Sequence, residues 1–137
     1  MGTQIHWLAV LVAAVAGFAV GGVWYGPLFG KAWMAARGVT PESAKDGMNM
    51  PLIFGTTFVL NLIASFVLDH VFGTYGHPAM SLAVMIAGGI ALGFIVTSIG
   101  VNYLFSRLSL KLFLIDAGYW LVIYCVMGAV LTALSGT

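Results

Sequence analysis

Four stretches of the chain are apolar almost without interruption: Ile5–Tyr25, Pro51–Phe72, Ala79–Phe105 and Leu112–Leu134. Crossing the hydrocarbon core of a bilayer takes about 20 helical residues, and each run is long enough. The pattern predicts an all-α integral membrane fold, with four transmembrane helices over 5–25, 51–72, 79–105 and 112–134 in a single domain, residues 1–137. The first run is expected to be a retained helix and not a signal peptide. Met1–His6 carries no Lys or Arg, and the run exceeds the usual apolar region of such a peptide. Between helices 2 and 3 lies the short stretch "GTYGHP", and between helices 3 and 4 the stretch "SRLSLK". Turns this tight predict antiparallel neighbours, so the helices are expected as two antiparallel hairpins.

Composition narrows the class further. Hydrophobic residues make up 61% of the chain and charged residues 7%, where a soluble domain carries about 25% charged. So few charges cannot cover a soluble globule. The net charge of +1 gives no reason to expect nucleic acid as a partner. Cys125 is the lone cysteine, which excludes an intrachain disulfide. Lys31, Arg37 and Lys45 fall between helices 1 and 2, and Arg107 and Lys111 between helices 3 and 4. Cations on one side mark the cytoplasmic face. The expected topology has loops 26–50 and 106–111 in the cytoplasm and both termini extracytoplasmic, in the cell (inner) membrane.

Small residues recur every fourth position in helix 1, at Ala9, Ala13, Gly17 and Gly21, and in helix 3 at Gly89, Gly93 and Thr97. Such faces let backbones approach closely, which drives helix association in lipid. They can join the helices of one chain or the protomers of a homo-oligomer, and both readings stand. "GVWY" at Gly22 and "GVNY" at Gly100 each close a helix, followed by Phe29 and Lys31 or by Phe105 and Arg107. This echo reads as a parallel internal repeat or as coincidence in apolar sequence.

Polar residues inside a membrane are the first place to look for function, because they are costly there. Thr57, Asn61, Ser65 and Asp69 form a stripe at four-residue spacing on helix 2. They read as interhelical glue or as the lining of a polar path. His6, Asp69, His70 and His77 gather at the outer end, where a His6–Asp69 pair or a metal site is conceivable, although no established zinc spacing is present. Asn102, Arg107, Asp116 and Tyr119 gather at the inner end, where Asp116 is expected to pair with Arg107, Lys111 or Lys31, or to line a cytoplasmic pocket. No catalytic set is visible: Cys125 lies mid-membrane and every histidine lies at the outer edge. No cofactor is expected. In the loop, "GVTPESAKDG" reads as a short helix start, with Thr40 as N-cap and Pro41 at the first position. Trp24, Tyr25, Pro27, Lys31 and Trp33 read as an interfacial anchor, with Gly26-Pro27 turning the chain out of the span.

The stretch "WYGPLFGKAWM" at Trp24–Met34 follows "IHWLAVLVAAVAGFAVGG". With "GVT" after it and "FLIDAGYWLV" opening helix 4, the chain resembles the DUF1761 family of small bacterial membrane proteins over nearly its whole length. That resemblance implies membrane placement and supplies no activity. Three functional readings follow. The first is an oligomeric protein that binds or translocates a small solute or lipid. The second is a non-transporting scaffold or interaction protein, and the third, least supported, is a membrane enzyme. Small multidrug-resistance transporters are similar in size and span number, but they carry a glutamate within helix 1. This helix 1 has no carboxylate, which counts against proton-coupled efflux.

Overall fold

A computed structural model of the protein describes residues 5–44 and 46–135. Helix α1 (Trp7–Val23) continues into a π-helical turn, Trp24–Leu28, to make the first span, Trp7–Leu28. Two short helices follow, α2 (Gly30–Arg37) and α3 (Pro41–Ala44), and α4 (Met50–Thr74) is the second span. Helix α5 (Met80–Ile90), a π stretch (Ala91–Val96) and α6 (Thr97–Phe105) together form the third span, and α7 (Leu110–Ser135) is the fourth. All four spans are long and apolar enough to cross a membrane. Lys45, one of the five cations used above, lies outside the described residues.

The helix ends follow local side-chain chemistry. The carbonyl of the Asn49 side chain accepts the Leu52 N–H at 3.1 Å, opening α4, and the Ser109 hydroxyl accepts the Leu112 N–H at 3.1 Å, opening α7. At α3, the Thr40 hydroxyl accepts the Ser43 N–H while the Ser43 hydroxyl accepts the Thr40 N–H. This is a reciprocal capping box with serine in the usual place of glutamate. Gly38 (φ 74°) ends α2 in the left-handed region that favours glycine.

The first span does not stop where Gly26-Pro27 led us to expect. Pro27 has no N–H to give back along the helix, and the backbone widens around it instead of leaving. The Phe29 N–H bonds to the Trp24 carbonyl five residues earlier, at 2.8 Å. Gly30 then passes so close to the chain that a Cβ there would lie 2.5 Å from the Tyr25 carbonyl oxygen. The π turn and Gly30 together aim α2 back across the end of the bundle. Nothing in the apolar pattern announced α2, which lies inside the stretch read as loop.

In packing order the spans run second, first, fourth, third. Helix α1 lies between α4 and α7, and α5 packs on the far side of α7. The second and third spans, although joined by the tight turn, make no extended contact among the described residues. Close backbone approach explains this departure. Ala83, Ala87 and Ala91 are buried, and a methyl added at Gly128 of α7 would lie 2.8 Å from the Ala87 Cβ. The third span is therefore drawn onto α7, while the polar stripe of α4 faces α1. Since α1 packs on α7 with no matching α4–α5 contact, the two hairpins are not arranged as equivalent halves.

The small-residue face of α1 is used inside the chain. Ala9 and Ala13 are buried, and a methyl at Gly17 would come within 3.0 Å of Ile123. Gly21 faces the Tyr119 hydroxyl. Gly89 and Gly93, by contrast, have nothing near the position a Cβ would take, and Thr97 is exposed. Ile123, Met127 and Leu131 of α7 are fully buried and close the interior with apolar side chains.

Candidate functional site

The stripe on α4 is covered by α1. Asn61, Ser65 and Asp69 are buried, and Thr57 is half-buried. The Ser65 hydroxyl donates to the Val10 carbonyl at 2.8 Å, tying the two helices. Asn61, one turn along the same face, keeps a side-chain N–H without a partner among the described residues. One hydrogen bond thus joins the packed faces of α1 and α4 along this stripe.

A second polar group forms where the connecting loops lie, at the loop end of the bundle. Asp116, in the second turn of α7, is half-buried. The Tyr25 hydroxyl donates to Asp116 Oδ1 at 2.6 Å, and the Tyr103 hydroxyl donates to Asp116 Oδ2. One carboxylate thus joins the first, third and fourth spans. The Trp24 indole N–H donates to the Ile115 carbonyl at 3.0 Å, next door to Asp116. Its ring fills the space beside Gly118, where a methyl would sit 3.0 Å from it. Tyr25 packs edge-on against Tyr119, with centroids 5.1 Å apart, and against Trp33 at 6.3 Å. Helix α2 supplies the other polar neighbours of Asp116, Trp33 and Arg37. The Arg37 guanidinium lies over the Trp33 ring, 5.5 Å from its centroid.

This corrects the expected ion pair. Lys31, Arg107 and Lys111 are exposed, and the one ion pair among the described residues joins His6 to Asp69. The widened π turn brings Tyr25 onto Asp116, so hydroxyls from two spans meet the carboxylate, with Trp33 and Arg37 of α2 beside it. Arg107 lies beyond the end of α6 in the left-handed region (φ 58°). Asn102 is exposed, adjacent to Tyr103 but turned away from it by about 100° of helix. Tyr119 is buried against Tyr25 and Gly21. Sequence reasoning missed Tyr103, Arg37 and the contact of Trp33. The echo of "GVWY" by "GVNY" was the available signal for Tyr103, since Tyr25 and Tyr103 occupy matching places in it.

The comparisons bear on which residues belong together. A family model described as "Protein of unknown function (DUF1761)" matches residues 8–132. The chain belongs to the DUF1761 family. No curated protein and no solved structure matches it. In this DUF1761 member, Trp24, Tyr25, Trp33, Arg37, Tyr103, Asp116 and Tyr119 all lie inside the matched residues. They also unite the two stretches that carried the resemblance, "WYGPLFGKAWM" and "FLIDAGYWLV".

The opposite, terminal end holds the remaining candidates. Asp69 is 1% exposed. The His6 N–H donates to its Oδ2 at 3.0 Å, and His6 Nδ1 lies 3.1 Å from its Oδ1. The His77 ring meets the His6 ring edge-on at 5.2 Å. His70 is exposed, and no group of three or more His, Cys, Asp or Glu among the described residues is placed to hold a metal ion. Both oxygens of Asp69 face His6, so of the two sequence readings of this end the His6–Asp69 pair is the one whose members meet.

Proposed function

We propose that this protein is a multi-pass inner-membrane protein that binds a protonated amine at Asp116, on a soluble solute or a lipid headgroup. The observation that carries the reading is a carboxylate within an apolar span that takes hydroxyl donors from two spans, with Trp33 and Arg37 beside it and Tyr119 packed behind Tyr25. Intramembrane carboxylates of this kind are binding-site candidates by default, and aromatic faces attract cations. An ammonium supplies N–H donors to replace a tyrosine hydroxyl together with a full positive charge. Tyr103 is the hydroxyl that gives way. It sits on α6, which has no buried residue and follows a π stretch, a feature frequent at functional sites.

In this reading, loops 26–50 and 106–111 are cytoplasmic, both termini are extracytoplasmic, and the amine enters from the cytoplasmic side. The closed apolar interior formed by Ile123, Met127 and Leu131 favours binding over passage through a single chain. A second reading, a homo-oligomeric scaffold, draws on the outward Gly89, Gly93 and Thr97 face, since small faces support close association.

Equilibrium dialysis of radiolabelled ethanolamine against the protein in dodecylmaltoside micelles tests the first reading. Saturable binding is expected in the wild type, weakened at least tenfold in Asp116→Asn. Equal binding by both proteins, or none by either, rejects it.

A further inference from the structure

A cavity of about 350 Å³ opens at the terminal end, lined by Phe72, His77, Pro78, Thr132 and Ser135. Small-molecule sites start at about this size. Three features give it a definite chemistry. First, the polar side chains on its wall are an imidazole and two hydroxyls, and neither hydroxyl is engaged by another described side chain or carbonyl. Second, no carboxylate side chain lines it among the described residues: Asp69, in the His6–His77 cluster, is buried and held on both oxygens by His6. Third, His77 is fixed in an uncommon backbone state. Its φ is 57°, directly after Gly76 at φ 77°, and its N–H is held by the Phe72 carbonyl at 2.9 Å. Non-glycine residues seldom adopt this conformation, and here it accompanies an imidazole placed at the cavity wall beside His6.

The geometry points to a binding site for a phosphate group, with His77, Thr132 and Ser135 as its donors. Hydrogen-bond donors with no carboxylate among the described lining residues suit an oxyanion. His6, oriented by Asp69, stands behind His77 and supports its edge. The cavity lies at the end of the spans, at the depth of lipid headgroups, so the phosphate is that of a lipid headgroup or of a soluble ester. Of the three donors, His77 and Thr132 fall inside residues 8–132 and Ser135 falls outside them. The site is independent of Asp116, which lies at the other end of α7.

The test uses the full chain in dodecylmaltoside micelles with isotope-labelled histidine, following the His77 imidazole signals by NMR at fixed pH and ionic strength. Sodium phosphate is titrated in one arm and dihexanoylphosphatidylglycerol in the other. A saturable shift in both arms is expected for a site open to soluble esters, and a shift with the lipid alone for a headgroup site. Thr132→Val with Ser135→Ala is expected to weaken binding at least tenfold, and Ser135→Ala alone by severalfold should the double variant not fold. Asp116→Asn is expected to bind phosphate as the wild type does. Absence of saturation in both arms, or undiminished binding in the hydroxyl variants, overturns the assignment.

Discussion

Ser65 and Asn61 lie one turn apart on α4, but only the serine has found a partner on α1. Their substitutions should therefore move stability in opposite directions. Interhelical hydrogen bonds in membranes are worth about 0.6 kcal/mol on average, so Ser65→Ala is expected to destabilise by about that much. Asn61→Leu removes a buried donor that gains nothing from folding, and replacing such a group with an apolar one of similar size is neutral or stabilising. Thermal unfolding in dodecylmaltoside, read by tryptophan emission, checks both; destabilisation by Asn61→Leu would show that its amide has a partner. At the loop end, Tyr25→Phe leaves a carboxylate oxygen without its hydroxyl donor. A lost hydrogen bond to a charged group costs about 1.5–3 kcal/mol, and the same melt is expected to register it.

The elements show which parts of the molecule could be read from its residues. Four spans were legible because apolar length is a strong signal, and the start of α3 was legible because Thr40 and Pro41 speak locally. What joins the elements was not. The order of the spans depends on which glycines meet which side chains, and Gly128 against Ala87 looks no different in sequence from Gly93, which meets nothing. Asp116 stood out as a charge inside an apolar run, whereas its partners depended on a π turn at Pro27 that no apolar count reveals. Two glycine substitutions test these joints. Gly30→Ala places a Cβ 2.5 Å from the Tyr25 carbonyl, a backbone clash that no side-chain rotation relieves. It is expected to unseat α2 and expose Trp33, seen as a red shift in emission. Gly128→Val is expected to separate α5 from α7, with overpacking of this kind costing about 1–3 kcal/mol. Gly93→Val is expected to leave the melting temperature of the monomer unchanged.

At the scale of the whole molecule, the four spans carry a polar cluster at each end and an apolar seal between them. The loop-end cluster holds the proposed amine site, and the terminal end holds a second, separate one. The proposed orientation rests on where the cations fall. Single cysteines at Ser43 and at Tyr75, in a Cys125→Ala background, are expected to label with impermeant maleimide from opposite sides of intact cells, Tyr75→Cys from outside. Labelling of Ser43→Cys from outside would invert the topology. The central claim is that an amine takes the place of the Tyr103 hydroxyl on Asp116, and fluorine NMR of 3-fluorotyrosine at positions 25 and 103, during an ethanolamine titration in nanodiscs, tests it most directly. A saturable shift is expected, larger at Tyr103 than at Tyr25 and abolished by Asp116→Asn. Signals from both tyrosines that stay fixed through the titration, or move equally without Asp116, would contradict it.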